Sequence, residues 1–185
     1  MSTIIAAYAG TGKTYFSSLY PQNVIDFVCM PYKYHLNLNK NAFYDESSKA
    51  NFDNIIHADW PFNYFSEIKK LLQLNKIILI PSDFSILKLL KNSEIPYYLC
   101  YPQRDSKDEY SERYTNRGNN EDFLNIFIGR WDDFMDYFEN DSFGKHIVLQ
   151  SNQYLCDVID VSSFICEKKQ FDFINFWYQS AEYSY

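Results

Sequence analysis

The chain has 185 residues, 46% of them apolar and 19% aromatic, with a formal net charge of −7. That length supports one domain, 1–185, with an interior rich in Tyr and Phe. The acidic balance argues against binding along nucleic-acid backbones. No apolar run reaches membrane-spanning length and the start carries no basic signal region. Cys29, Cys100, Cys156 and Cys166 show no C-x-x-C spacing. Buried free thiols in a reducing, cytoplasmic setting are therefore expected, not disulfides or a zinc site.

The first element, Thr3 to Ala9 (TIIAAYA), reads as a buried strand, and KTYFSSLY after it reads as a helix ended near Pro21. Between them, AYAGTGKTY matches G-x-x-x-x-G-K-[ST] with Ala7 in place of the first glycine. A glycine loop between strand and helix presents backbone N–H groups and a positive helix start to phosphate oxygens. Ala9, Gly10, Thr11, Gly12, Lys13, Thr14 and Tyr15 would form that cradle, Lys13 reaching the outer phosphates and the Thr14 hydroxyl ligating magnesium. An ordinary turn with a solvated lysine is the bland alternative. Ala7 gives up glycine's freedom at positive φ.

Asn23 to Cys29 reads as a second strand. Residues 31–58 are polar and irregular and read as a mobile segment. Trp60 to Asn75 reads as a helix with Asp59 as its N-cap and Pro61 in its first turn. Lys76 to Asp83 reads as a central parallel strand, followed by the helix FSILKLLKN and the strand Pro96 to Pro102. A charged helix then ends at Gly118, and a long amphipathic helix spans Glu121 to Asn140. His146 to Gln150 is the last strand. The aromatic tail FDFINFWYQSAEYSY packs on the core as a terminal helix or serves as a partner surface, for instance in a homo-oligomer.

Strands alternating with helices predict a parallel sheet with helices on both faces and ligands beyond the carboxyl ends of the strands. That crevice gathers the glycine loop, Asp26 to Tyr32, Pro81 to Asp83 and Pro102 to Arg104. Arg113 and Arg117 lie four apart on one helix face, where they either hold phosphate or pair with Asp108, Glu109 and Glu112. Arg104 is a third candidate cation. Asp83 either holds magnesium through water or caps the next helix. Asp26 either faces the crevice, orienting a substrate hydroxyl or a magnesium-bound water, or is a plain polar residue near a strand end. Trp60 and Tyr64 are core residues or stack a base. The three histidines are scattered and give no metal pattern.

The stretches AYAGTGKTY, VIDFVCMPYKY, HADWPFNYFSEIKK, IPSDFSILKLLKNSEIPYYLCYP and ERYTNRGNNEDFLNIFIGRWDDF resemble the P-loop nucleoside monophosphate kinases of adenylate or guanylate kinase type. The likeness is strongest to the small kinase-like proteins of low-GC bacteria and their phages. It implies a three-layer α/β/α P-loop NTPase fold with a parallel sheet of order 2-3-1-4-5. It implies ATP and Mg2+, a nucleotide or other small phosphoryl acceptor, an acceptor-side flap over 31–58 and a lid over 104–120. In that scheme Lys13, Arg113, Arg117, Asp26 and Asp83 are catalytic, Thr14 and Asp83 serve the metal, and Asp26, Tyr32, Trp60, Tyr64 and Arg104 bind the acceptor. PSDFS stands where adenylate kinases carry a glycine-arginine acceptor motif. A plain NTPase and a nucleotide-binding sensor without turnover are the alternatives.

Overall fold

The computed structural model describes residues 2–36 and 52–164. In chain order it holds β1 (Thr3–Ala7), α1 (Lys13–Leu19), β2 (Val24–Asp26), α2 (Met30–Lys33), β3 (Tyr34–Leu36) and β4 (Phe52–Ile56). Then come α3 (Phe62–Leu71), β5 (Ile77–Pro81), α4 (Phe84–Asn92), β6 (Tyr97–Pro102) and α5 (Lys107–Asn116). The last elements are α6 (Glu121–Phe127), α7 (Trp131–Glu139), β7 (Lys145–Leu149) and α8 (Leu155–Val158).

Five strands form one parallel sheet in the order β2-β5-β1-β6-β7. Counted along the chain within that sheet, the order is 2-3-1-4-5, as expected. Apart from Thr3 at the start of β1, the central strands β1 and β5 are apolar, because each buries both faces. Side chains alternate across the sheet. Ile4, Ala6 and Tyr8 face one core, shared with Ile68 of α3, Leu87 of α4, Tyr110 of α5 and Phe138 of α7. Ile5 and Ala7 face the other, closed by Phe16 of α1 and Leu155 of α8. Helices thus cover both faces. Among the described residues no helix is long and apolar enough to cross a membrane.

Local chemistry starts α4 and α6. Asp83 Oδ1 accepts from the Ser85 N–H at 3.0 Å, and Asn120 Oδ1 from the Phe123 N–H at 3.0 Å. Asp59 does not cap α3: the N-cap is Pro61, and the Asp59 side chain takes a hydrogen bond from Asn63 Nδ2 instead. The second strand is shorter than expected, and Cys29 has left it to become the N-cap of α2. Cys29, Cys100 and Cys156 are free thiols, while Cys166 lies outside the described residues.

Two further expectations need correction. Residues 31–58 are not irregular throughout: β3 and β4 at their two ends pair antiparallel, with Tyr34 opposite Ile56. The stretch 121–140 is not one helix. It breaks between α6 and α7, where the Trp131 N–H bonds to Ile128 O and the Tyr8 hydroxyl donates to Phe127 O at 2.7 Å. The break lets Phe127 of α6 and Trp131, Phe134 and Phe138 around α7 all meet the Tyr8 ring, at centroid distances of 5.3–5.8 Å. The segment expected as a lid is seated on the same core, since Tyr110 and Tyr114 of α5 are buried. The aromatic tail lies outside the described residues.

Phe138 is fully buried among these rings. Replacing it with Ala is expected to lower stability by about 3–5 kcal/mol in urea unfolding. Replacing Phe62, which is 65% exposed, should change it by less than about 0.5 kcal/mol.

Candidate functional site

The loop from Tyr8 to Gly12 leaves the carboxyl end of the central strand. Ala7 sits inside β1, in register with Pro81 and Cys100, so its extended backbone has no need of glycine. The left-handed positions are Gly10 at φ +77° and Gly12 at φ +89°. Both also sit under aromatic rings. A Cβ on Gly10 would come within 2.8 Å of Tyr114, and one on Gly12 within 3.2 Å of Tyr154. Thr11 is buried and donates to Tyr8 O at 2.8 Å, tightening the turn.

Lys13 folds back over this loop. Its Nζ donates to Ala7 O at 2.9 Å and Tyr8 O at 3.0 Å, and no carboxylate pairs with it among the described residues. Burial lowers its pKa, with the nearby Asp26 charge pulling the other way. Among the described residues the backbone N–H groups from Gly10 to Tyr15 find no hydrogen-bond acceptor. A run of free N–H donors with an ammonium group alongside is an anion-binding arrangement.

The Thr14 hydroxyl donates to Asp26 Oδ2 at 2.7 Å. Asp26 Oδ1 is buried and has no hydrogen-bond partner among the described residues. Thr14 therefore meets Asp26 and not Asp83, the carboxylate expected beside it at the metal. Asp83 bonds Lys33 Nζ at 2.8 Å and caps α4. Burial pushes the Asp83 pKa up, but the Lys33 charge and the hydrogen bonds from Lys33 and Ser85 outweigh it, leaving the carboxyl below its usual range. Lys33 is the mirror case: burial lowers it, and Asp83 more than compensates.

The two halves meet at Cys29 and Tyr64. Burial pushes the Cys29 thiol up to about 11, and the charges of Lys33, Asp83 and Lys13 all act on it. Asp26 and Asp83 both act on the buried Tyr64 hydroxyl, which donates to Phe27 O. Phe27 stacks on Tyr64 at 4.6 Å, with Tyr32 5.3 Å and Trp60 5.7 Å from the Tyr64 ring. Lys33 Nζ lies 5.1 Å from the Trp60 ring centre. Asp26, Asp83, Tyr32, Trp60 and Tyr64 are thus brought to one crevice.

The arginines separate. Arg113 pairs with Glu109, donates to Gly10 O and Gln153 O at 3.3 Å, and packs 4.0 Å from the Tyr154 ring centre. It ties the glycine loop to the chain after β7, with Leu155 N–H donating to Thr11 O at 3.0 Å beside it. Arg117 is exposed and without an ion-pair partner among the described residues, yet its charge acts on Lys13. Arg104 turns away from the crevice onto α7, with Nη2 2.6 Å from both Asp136 and Glu139. His35 and His57 are not scattered: their rings meet at 3.8 Å on the β3–β4 hairpin. No three potential metal ligands cluster among the described residues.

Lys33 and Tyr154 were not singled out in the sequence, whereas Glu109 was one of the expected partners of Arg113. Only the position of Lys33, just past the second strand, offered a signal. The chain matches no protein-family model and no curated protein. What the site does is therefore a matter of its own geometry.

Gly10→Ala is expected to cost more than about 1 kcal/mol, measured by urea unfolding. It should cost more than Gly118→Ala, where φ is +73° but nothing stands within 4 Å. The Asp83–Lys33 pair sets a pH window. A lowered carboxyl contributes fully above its unfolded pKa of about 3.9 and fades as pH falls through the folded value. A raised lysine contributes fully below about 10.4 and fades as pH rises through its folded value. The stability deficit of Asp83→Asn should therefore stay flat from about pH 5 to 9 and close below about pH 4. A deficit undiminished in acid would mean that the charge pair is not its source.

Proposed function

We propose that this protein is a P-loop phosphotransferase that moves the γ-phosphoryl group of ATP to a nucleoside, a nucleotide or a related small acceptor. The observation that carries the reading is the loop itself: a run of unpaired N–H donors from Gly10 to Tyr15 beside Lys13, whose ammonium group has no carboxylate partner among the described residues. An unpaired, desolvated lysine and a backbone nest suit the triphosphate. The loop's place at the carboxyl end of a central parallel strand supports it too.

A magnesium ion fits at Thr14 and Asp26. Asp26 Oδ1 is a buried oxygen without a partner, next to a hydroxyl that the same carboxylate already orients. Thr14 would ligate the ion and Asp26 would hold one of its waters. Such an ion neutralises charge on the phosphates. Asp83 is committed to Lys33 and the α4 cap, so it belongs to the acceptor side. Arg117 is the cation left to meet charge that develops on the phosphoryl group, while Arg113 and Tyr154 fix the loop.

One observation favours the rival reading of a nucleotide-binding sensor without turnover. Arg104 and Arg113 are both committed to protein partners, which leaves few cations for the transition state. Replacing Lys13 by Ala separates the readings. ATP-dependent ADP release should fall by at least about 1,000-fold, as expected for losing a transition-state charge contact, with the far-UV and thermal-melting profiles of the parent retained. ADP release that survives the substitution would remove Lys13, and this function with it.

A further inference from the structure

We propose that the acceptor is an uncharged alcohol carrying an aromatic ring, that is a nucleoside, and not a nucleoside monophosphate. The inference rests on the phosphotransferase reading and concerns the half of the crevice that faces the glycine loop.

Charge decides it. A phosphate monoester brings between one and two negative charges at neutral pH, and sites that take it supply arginine forks or unpaired lysines. No arginine precedes Arg104 in the sequence, so β2, α2, α3, β5 and α4 contribute none. Arg104 itself is turned onto the carboxylates of α7. Of the other described lysines of this half, Lys70 pairs with Glu67, Lys91 with Asp141, Lys69 lies over the Phe65 ring, and Lys76 stands at the amino end of the sheet, away from the crevice. Lys33 does reach the crevice, but Asp83 already neutralises it at 2.8 Å in a half-buried pair. A phosphate placed there would lie against the Asp83 carboxylate, with like charges close together away from water. With Lys33 neutralised by Asp83, the described groups at this end of the crevice offer a phosphate no unpaired cation.

The same groups suit a hydroxyl. Lys33 Nζ has three N–H donors, of which Asp83 takes one. Asp83 Oδ2 accepts from Lys33 alone among the described residues and keeps a lone pair. A donor beside an acceptor matches an alcohol, which is both. Around them stand the half-buried rings of Tyr32 and Trp60, backed by Phe27 and the fully buried Tyr64, a wall against which a flat base stacks. Both lysines act on Cys29, and both carboxylates on Tyr64. The hydroxyl site and the phosphate loop therefore share one space.

The transfer balances on these groups. The acceptor oxygen bonds to the γ-phosphorus as the bond to the β,γ-bridging oxygen breaks. That oxygen keeps the electron pair and leaves with ADP. The hydroxyl proton passes to Asp83 Oδ2 and from there to water.

The test is acceptor-dependent ADP release with ATP and magnesium. The common ribo- and deoxyribonucleosides are tried in one series, their 5′-monophosphates in another, and the phosphorylated product is identified by mass. Release with one or a few nucleosides and not with the matching monophosphates is the expected result. Release with monophosphates alone would overturn the inference and leave the phosphotransferase reading standing. Release that no acceptor of either series raises would overturn that reading, and this inference with it. Asp83→Asn supplies a second measurement, since Asn caps a helix as well as Asp and the fold is kept. It should lower nucleoside-dependent kcat by about 100-fold while the ATP-induced thermal shift stays that of the parent. An unchanged kcat would take Asp83 out of the acceptor site.

Discussion

The fold is pinned at Tyr8. It is the first residue past the central strand, yet its ring is fully buried. Its hydroxyl donates to Phe127 O across 119 residues. Five rings from α5, α6 and α7 and their junction surround it, those of Tyr110, Phe127, Trp131, Phe134 and Phe138. An aromatic ring so enclosed fixes both position and direction of the chain that leaves it. The glycine loop therefore starts from a rigid point. Tyr114 adds to the hold, its hydroxyl donating to Ala9 O at 2.9 Å while its ring covers Gly10. The loop's shape is paid for by the aromatic core beneath it.

The site divides the work by charge. On the loop side stand Lys13, Thr14 and Asp26, with Arg117 nearby. Across the crevice stand Lys33 and Asp83 among rings. Each side pairs a lysine with a carboxylate, but differently. Lys33 and Asp83 bond each other directly, so their charges cancel locally. Lys13 bonds two backbone carbonyls and feels Asp26 only at a distance, so its charge remains available to an anion. Two lysines in one crevice thus have opposite capacities, set by whether an oxygen partner carries a full charge.

Much of this was legible in the sequence where local rules decide. Apolar runs marked β1, β5 and β6, because strands buried on both faces have no reason to alternate. FSILKLLKN gave α4 to the residue, since Asp83 caps it and its apolar spacing is helical. The glycine loop was legible because its chemistry lies within eight residues. What escaped was decided across the chain. Phe123, Phe127, Trp131, Phe134 and Phe138 keep helical spacing through a break that Tyr8, far away, helps to make. Gly129 was its one local sign, since a Cβ there would collide with Asn125 O at 2.4 Å. The strands β3 and β4 are short and lie on either side of residues 37–51, so neither announced itself. Arg104 read as a crevice cation because it follows a strand. Only the fold shows that the acidic face of α7 claims it. Lys33 and Asp83, fifty residues apart, could not be paired from their neighbours.

The strand order carries a consequence for how the molecule comes into being. β1 precedes all the other described strands in the chain, but both its partners in the sheet, β5 and β6, begin more than seventy residues later. Gly10 meets Arg113 only across 103 residues. Its neighbour Gly12 lies beneath Tyr154, which follows the last strand. Contacts so distant in sequence close slowly, because the intervening chain must be ordered first. Residues 3–15 therefore wait, as a hydrophobic strand and a bare glycine turn, for partners that come much later in the chain. The glycine loop is thus among the last parts of the described fold to be completed.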